Sequence, residues 1–175
     1  MEKLKREIVA KQLGRNPDNL KDIVVYCSPS KKPAVVLTSP FSSDKGIFPT
    51  IYWLSCPYLV EEIFRIEDKG LVKKLTEKLK SDSEFKKEMM KTHEKYAERR
   101  LSMLLPEEIK KIKDKSKDMY KVIKESGVGG IMDKGGIKCL HAHYADYLVN
   151  GDNPAGKIIS DKISWPKCCS CGDDS

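Results

Sequence analysis

The 175-residue chain is 39% hydrophobic and 34% charged, enough for one core of ordinary size, and its formal net charge is +7. No apolar run approaches the roughly 20 residues of a membrane span, and positions 1–15 interleave charge with Leu4, Ile8, Val9 and Leu13 instead of presenting a secretory signal. A cytoplasmic protein with a single domain over 1–175 is therefore expected, and in a reducing compartment its six cysteines read as metal ligands, catalytic thiols or core residues before disulfides.

A short amphipathic helix is expected to end at Gly14, a residue suited to the left-handed position after a helix. The apolar period then shortens: "DIVVYC" (22–27), "PAVVLT" (33–38) and "FPTIYWLS" (48–55) are β-branched or aromatic runs, and they predict an antiparallel sheet of about three strands within 20–56. From Pro57 to about 150 the pattern is helical. Proline in the first turn and Gly70 past the last mark one helix, and "LVKKLTEKLK" continues as a second. Ser81 or Ser83 is placed to cap a third, which puts Phe85, Met89, His93 and Tyr96 on its inward face. Pro106 opens a further helix with Ile109, Ile112, Met119 and Ile123 as its stripe, ending at Gly127. Five of the eleven glycines then fall in 127–136, and an irregular, cysteine-containing tail occupies about 151–175. The fold class that results is α+β, a small sheet near the N-terminus packed against several helices.

Residues 71–126 hold 17 basic and 11 acidic side chains, so six of the seven net positive charges lie there. Lysines alternate with glutamates around an apolar stripe, the pattern of a solvated helical face. Nucleic-acid or protein binding through these basic helices is a further alternative that no stacking-aromatic motif favours.

"IKCLHAHYA" (137–145) carries the densest chemistry. At about 100° per residue, Cys139, His143, Asp146 and Asn150 share one helical face, while His141 points away unless the helix begins after it. A thiolate and an imidazole one turn apart are a half-site for zinc, and Asp146 is placed to fix the imidazole tautomer. "KCCSCGDDS" supplies Cys168 and Cys171 in C-x-x-C spacing, so Cys139, His143, Cys168 and Cys171 form the expected tetrahedral set, with a structural role for the metal. The competing reading is a buried Cys139 with an unengaged tail. An iron–sulfur cluster on Cys27, Cys56, Cys139 and one tail cysteine ranks below zinc, because no compact cluster motif is present.

A second class of function is an enzyme acting on a small anionic substrate. Cys56 precedes the Pro57 helix start, where the helix dipole favours a thiolate; His93 or His141 would supply acid–base chemistry, and Arg99 or Arg100 the anion clamp. Against this stand a core-facing Cys56 and a core histidine at 93. The glycine run lacks both the P-loop lysine–serine pair and a complete G-x-G-x-x-G, so nucleotide binding is not expected.

"FPTIYWLSCP", "HEKYAERR", "GVGGIMD", "IKCLHAHYA" and "NPAG", in this order, resemble an uncharacterised bacterial family catalogued as domain of unknown function number 501. The resemblance extends from about "LGRNP" to the tail. It implies no activity or cofactor. It does imply that positions matching Cys56, His93, Cys139 and His141 belong to the family's motif blocks, whereas the "CCSC" tail and the lysine-rich 106–126 helix look particular to this chain.

Overall fold

A computed structural model describes residues 2–167. The chain runs α1 (Glu2–Leu13), β1 (Leu20–Tyr26), β2 (Pro33–Thr38), β3 (Phe41–Ser42), β4 (Gly46–Ile47), β5 (Tyr52–Leu54), α2 (Pro57–Asp68), α3 (Leu71–Ser81), α4 (Ser83–Ser102), α5 (Pro106–Lys115), α6 (Lys117–Glu125), a 3-10 turn at Val128–Gly130, α7 (Leu140–Asn150) and α8 (Pro154–Ser160). The antiparallel sheet has the order β1-β2-β5, with Val35 opposite Leu54 and Val36 opposite Trp53. This is the expected α+β class.

Strand β2 explains how the layers assemble. Successive side chains of a strand point to opposite faces, and both of its faces are covered. Val36 joins Val9, Leu20 and Ile23 in a small cluster with α1, while Val35 joins the main core of α2, α3, α4, α7 and α8. Each such Val, Leu or Ile contributes about 1.5–3 kcal/mol relative to exposure. Phe41, Leu104, Ile112 and Ile123 form a third cluster that ties the β3–β4 hairpin to α5 and α6.

Helix α4 is the central support. Asp82, rather than Ser81 or Ser83, is its cap, accepting the Phe85 amide at 2.9 Å; a carboxylate cap also interacts favourably with the positive end of the helix dipole. Its stripe of Phe85, Met89, His93, Tyr96 and Arg100 is buried. Tyr96 is tied to the sheet, where its hydroxyl accepts the amides of Ile51 and Tyr52. The helix expected from Pro106 is two helices. Ser116 is extended (φ −168°) and its hydroxyl accepts the Met119 amide, so a hydroxyl competing with the helical ladder starts α6 afresh. Part of the expected irregular tail is also ordered: the Asn153 side chain caps α8 by accepting the Gly156 amide at 3.0 Å.

Candidate functional site

Helix α7 begins at Leu140, so Cys139 is its N-cap residue in extended conformation (φ −146°, ψ 109°). The angular projection that pairs Cys139 with His143 does not apply to a residue outside the helix. The structure instead brings Cys139 and His141 onto one groove of about 600 Å³, walled by Val60 and Phe64 of α2, Trp53 of β5 and Gly129 of the 3-10 turn. Gly129 has φ +70°, and a Cβ there would come within 3.2 Å of Cys139 Cβ, so glycine permits the turn to close over the thiol.

The electrostatics of the three polar groups in this groove are interlocked. Burial pushes the Cys139 thiol up, opposed by the nearby amides of Ala142 and His141, although the thiol accepts no cap hydrogen bond at the start of α7. Burial lowers the His141 pKa, opposed by the Glu67 carboxylate and the Val60 carbonyl. Its Nδ1 lies 3.8 Å from Glu67 Oε1, its ring packs edge-on against Phe64, and its buried Nε2 has no hydrogen-bond partner among the described residues. Glu67, in the last turn of α2, also accepts the Leu140 amide at 3.4 Å, which ties it to the start of α7. Cys139 is a free thiol. A neutral thiol and a neutral imidazole at rest are the starting state of a general-base-assisted nucleophile.

The remaining sequence candidates lie elsewhere. His143 is fully buried, its ring edge-on to His93 at 5.8 Å and its Nδ1 beside the Asn153 side chain. Asn153 donates to Asp146 at 2.9 Å, and Asp146 lies 3.5 Å from Arg99, which also meets Asp152. His93 accepts the Val128 amide on Nδ1 and so holds the 3-10 turn that carries Gly129. The spacing of Cys139 and His143 therefore marks two environments, a groove and a core network. Cys168 and Cys171, the other two expected zinc ligands, lie outside the described residues. Among the described residues no group of three or more His, Cys, Asp or Glu side chains is placed to hold a metal ion.

The residues of the enzyme reading occupy the following places. Cys56 is fully buried in the main core, and Cys27 is buried as well. Arg100 is fully buried and donates to the carbonyls of Ile123, Pro49, Val122 and Ser126, so four of its five N–H groups brace α6 and the Pro49 turn instead of clamping an anion. His93 is enclosed. Of the catalytic set Cys56, His93, His141, Arg99 and Arg100, only His141 opens onto the groove. Glu67, Trp53, Phe64, Arg15 and Lys138 are groove residues that sequence reasoning missed. The one available signal was Phe64 and Glu67 at i and i+3, which place both on one face of α2.

The chain matches no curated protein and no solved structure. Residues 24–161 match a family described as "Protein of unknown function (DUF501)", a span that includes Glu67, Cys139 and His141. The chain therefore belongs to that family.

Proposed function

We propose that the groove is the active site of an enzyme acting on a small anionic substrate, with Cys139 as nucleophile, His141 as general base and Glu67 orienting the imidazole. The observation that carries this reading is the opening of the Cys139 thiol and the His141 ring onto one groove, with Glu67 facing Nδ1 and leaving Nε2 unsatisfied. Lys138 and Arg15 supply positive charge, and neither pairs with a carboxylate among the described residues.

Alkylation by iodoacetamide tests the pair without a known substrate. At pH 7 the Cys139 rate is expected to fall about tenfold in His141→Gln, because a raised thiol pKa leaves little thiolate unless a neighbouring base accepts the proton. A rate indifferent to His141 would remove the catalytic reading.

Structural zinc is the second reading, favoured by the same thiol and imidazole on one groove, with Cys168 and Cys171 following in the chain. It predicts about one zinc per chain, lost from Cys139→Ser. Protein purified without a metal-affinity tag and free of zinc would leave Cys139 available to substrate alone.

A further inference from the structure

We propose that residues 127–138 are a lid on the thiol groove, latched by the neutral His93 ring and released when that ring takes up a proton. The segment joins α6 to α7 with no regular structure beyond the 3-10 turn, and Gly129 and Lys138 near its two ends both line the groove. Within the turn the backbone bonds to itself, the Gly127 amide to the Ile131 carbonyl and the Gly130 amide to that of Gly127. A lid governs entry to the groove whichever ligand the groove takes, so it is independent of the catalytic and zinc readings.

The latch is a side chain of α4. His93 is fully buried, and its Nδ1 accepts the Val128 amide at 3.1 Å. The approach is close enough to require glycine at 127, where a Cβ would stand 2.4 Å from that Nδ1. A bond received by Nδ1 puts the proton of the neutral ring on Nε2, so a second proton has only Nδ1 to occupy. The imidazolium then points N–H at N–H, and the latch becomes a repulsion. On the other side of the turn Gly129 lies against α7, where a Cβ would be 3.2 Å from Cys139 Cβ and 3.8 Å from Ala142 Cβ. Movement of Val128 away from His93 therefore carries with it the wall that stands against the thiol. Buried Val128 and Ile137 hold the segment down by apolar contact, which has no pH dependence and favours closure at neutral pH.

The groups around His93 set the pH of release. His143 faces it from α7 with ring centres 5.8 Å apart, Lys134 acts on it from the lid, and Tyr96 and Arg100 follow on its own helix. Beyond His143, Asp146 is bonded by Asn153, and Asp152 ahead of α8 is paired with Lys95 and Arg99. Burial, with Lys134 adding to it, holds the closed ring down to about 4, and opening returns it toward the ordinary 6.5. Between those two values protons favour the open state, by up to about tenfold for each pH unit. Lys134 repels the imidazolium and is carried away with the lid, so it adds to release.

Amide hydrogen exchange of the full chain, corrected for intrinsic rates and read by peptide mass spectrometry, measures the opening directly. Protection of the 127–137 amides is expected to fall about five- to tenfold from pH 6 to pH 5, independent of low urea, while α4 and β2 keep theirs. His93→Gln, which offers an acceptor that does not titrate, should make this protection level with pH, and His93→Phe should lower it at every pH. At pH 7.5 His93→Phe should also raise the rate of iodoacetamide alkylation at Cys139 about fivefold. Gly129→Ala, which crowds Cys139 without touching His93, should do the same, and it carries the test should His93→Phe fail to fold. Protection lost equally from α4, or lost in proportion to urea, would mean global unfolding and overturn the lid. Wild-type protection level from pH 6 to pH 5 would overturn the latch. Cys139 alkylation unmoved in the variants that fold would show that the segment does not cover the groove.

Discussion

Arg100→Met is expected to lower stability by about 3–5 kcal/mol. The replacement keeps most of the apolar stem but removes the guanidinium, which lies 5.9 Å from the centre of the Tyr96 ring and donates at 2.7 Å to Ile123, 2.9 Å to Pro49 and 2.6 Å to Ser126. The Ile123 and Ser126 carbonyls sit where α6 ends and the chain enters the 3-10 turn, the Pro49 carbonyl lies just ahead of β5, and a buried acceptor left without a donor costs about 1–3 kcal/mol. Burial pushes the Arg100 pKa down to about 10, which still leaves it charged at neutral pH, so its bonds are the stronger, charge-assisted kind. Arg100→Lys should fall between the two, because one ammonium cannot reproduce the planar fork that reaches carbonyls on two segments. Urea unfolding at neutral pH measures the difference. A loss under about 1 kcal/mol for the methionine variant would mean that the segments re-pair without it.

The elements that apolar period defines were legible, because period depends on neighbours in sequence. The valine runs at 22–27 and 33–38 form β1 and β2, and the α4 stripe of Phe85, Met89, His93 and Tyr96 faces the core. What failed was local competition between side chain and backbone. Ser116 interrupts an apolar stripe that is continuous on paper, and its hydroxyl decides the break. The third strand was expected over eight residues and forms over three, Tyr52–Leu54, since pairing with β2 extends only from Val35 to Leu37.

The site was half legible for a related reason. Cysteine and histidine types drew attention to 139 and 141, but the partner of Cys139 depends on which residue starts α7, and a one-residue shift moves the thiol out of the helical projection. Glu67 and Phe64 come from a helix more than 70 positions earlier, and nothing in their own neighbourhood announces that α2 lies beside the start of α7. Arg100 illustrates the opposite error. Its residue type suggests an anion clamp, yet its ligands are backbone carbonyls, which carry no sequence signal at all.

Acid should unfold this protein earlier than its carboxylates alone would require, because all three histidines are held neutral in the fold. Burial takes His93 down to about 4, with Lys134 adding to the effect, and His143 down to about 3, with His93 adding and Asn153 opposing; His141 is lowered as well. In the unfolded chain each titrates near 6.5. Below that pH the unfolded state binds protons that the folded state refuses, so stability falls as pH falls, and the loss continues until the folded pKa is passed. His93 and His143 together give about 3 kcal/mol per pH unit between roughly pH 6 and pH 4. Asp146 works in the opposite sense. Burial raises its pKa against Asn153 and Arg99, so the folded state takes up that proton first and recovers part of the loss at the acid end. Over that window the pair removes about 6 kcal/mol, so against an ordinary stability of about 5–15 kcal/mol the histidines alone bring the unfolding midpoint above pH 4 only at the low end of the range. Urea midpoints at pH 7.5, 6 and 5 should decline steadily, and His143→Gln, which keeps a polar group beside Asn153 but cannot take up a proton, should flatten the decline by about a third to a half. A stability that stays level from pH 7 to pH 5 would show that the buried pair accepts protons in place, with an anion or water reaching the His93–His143 contact.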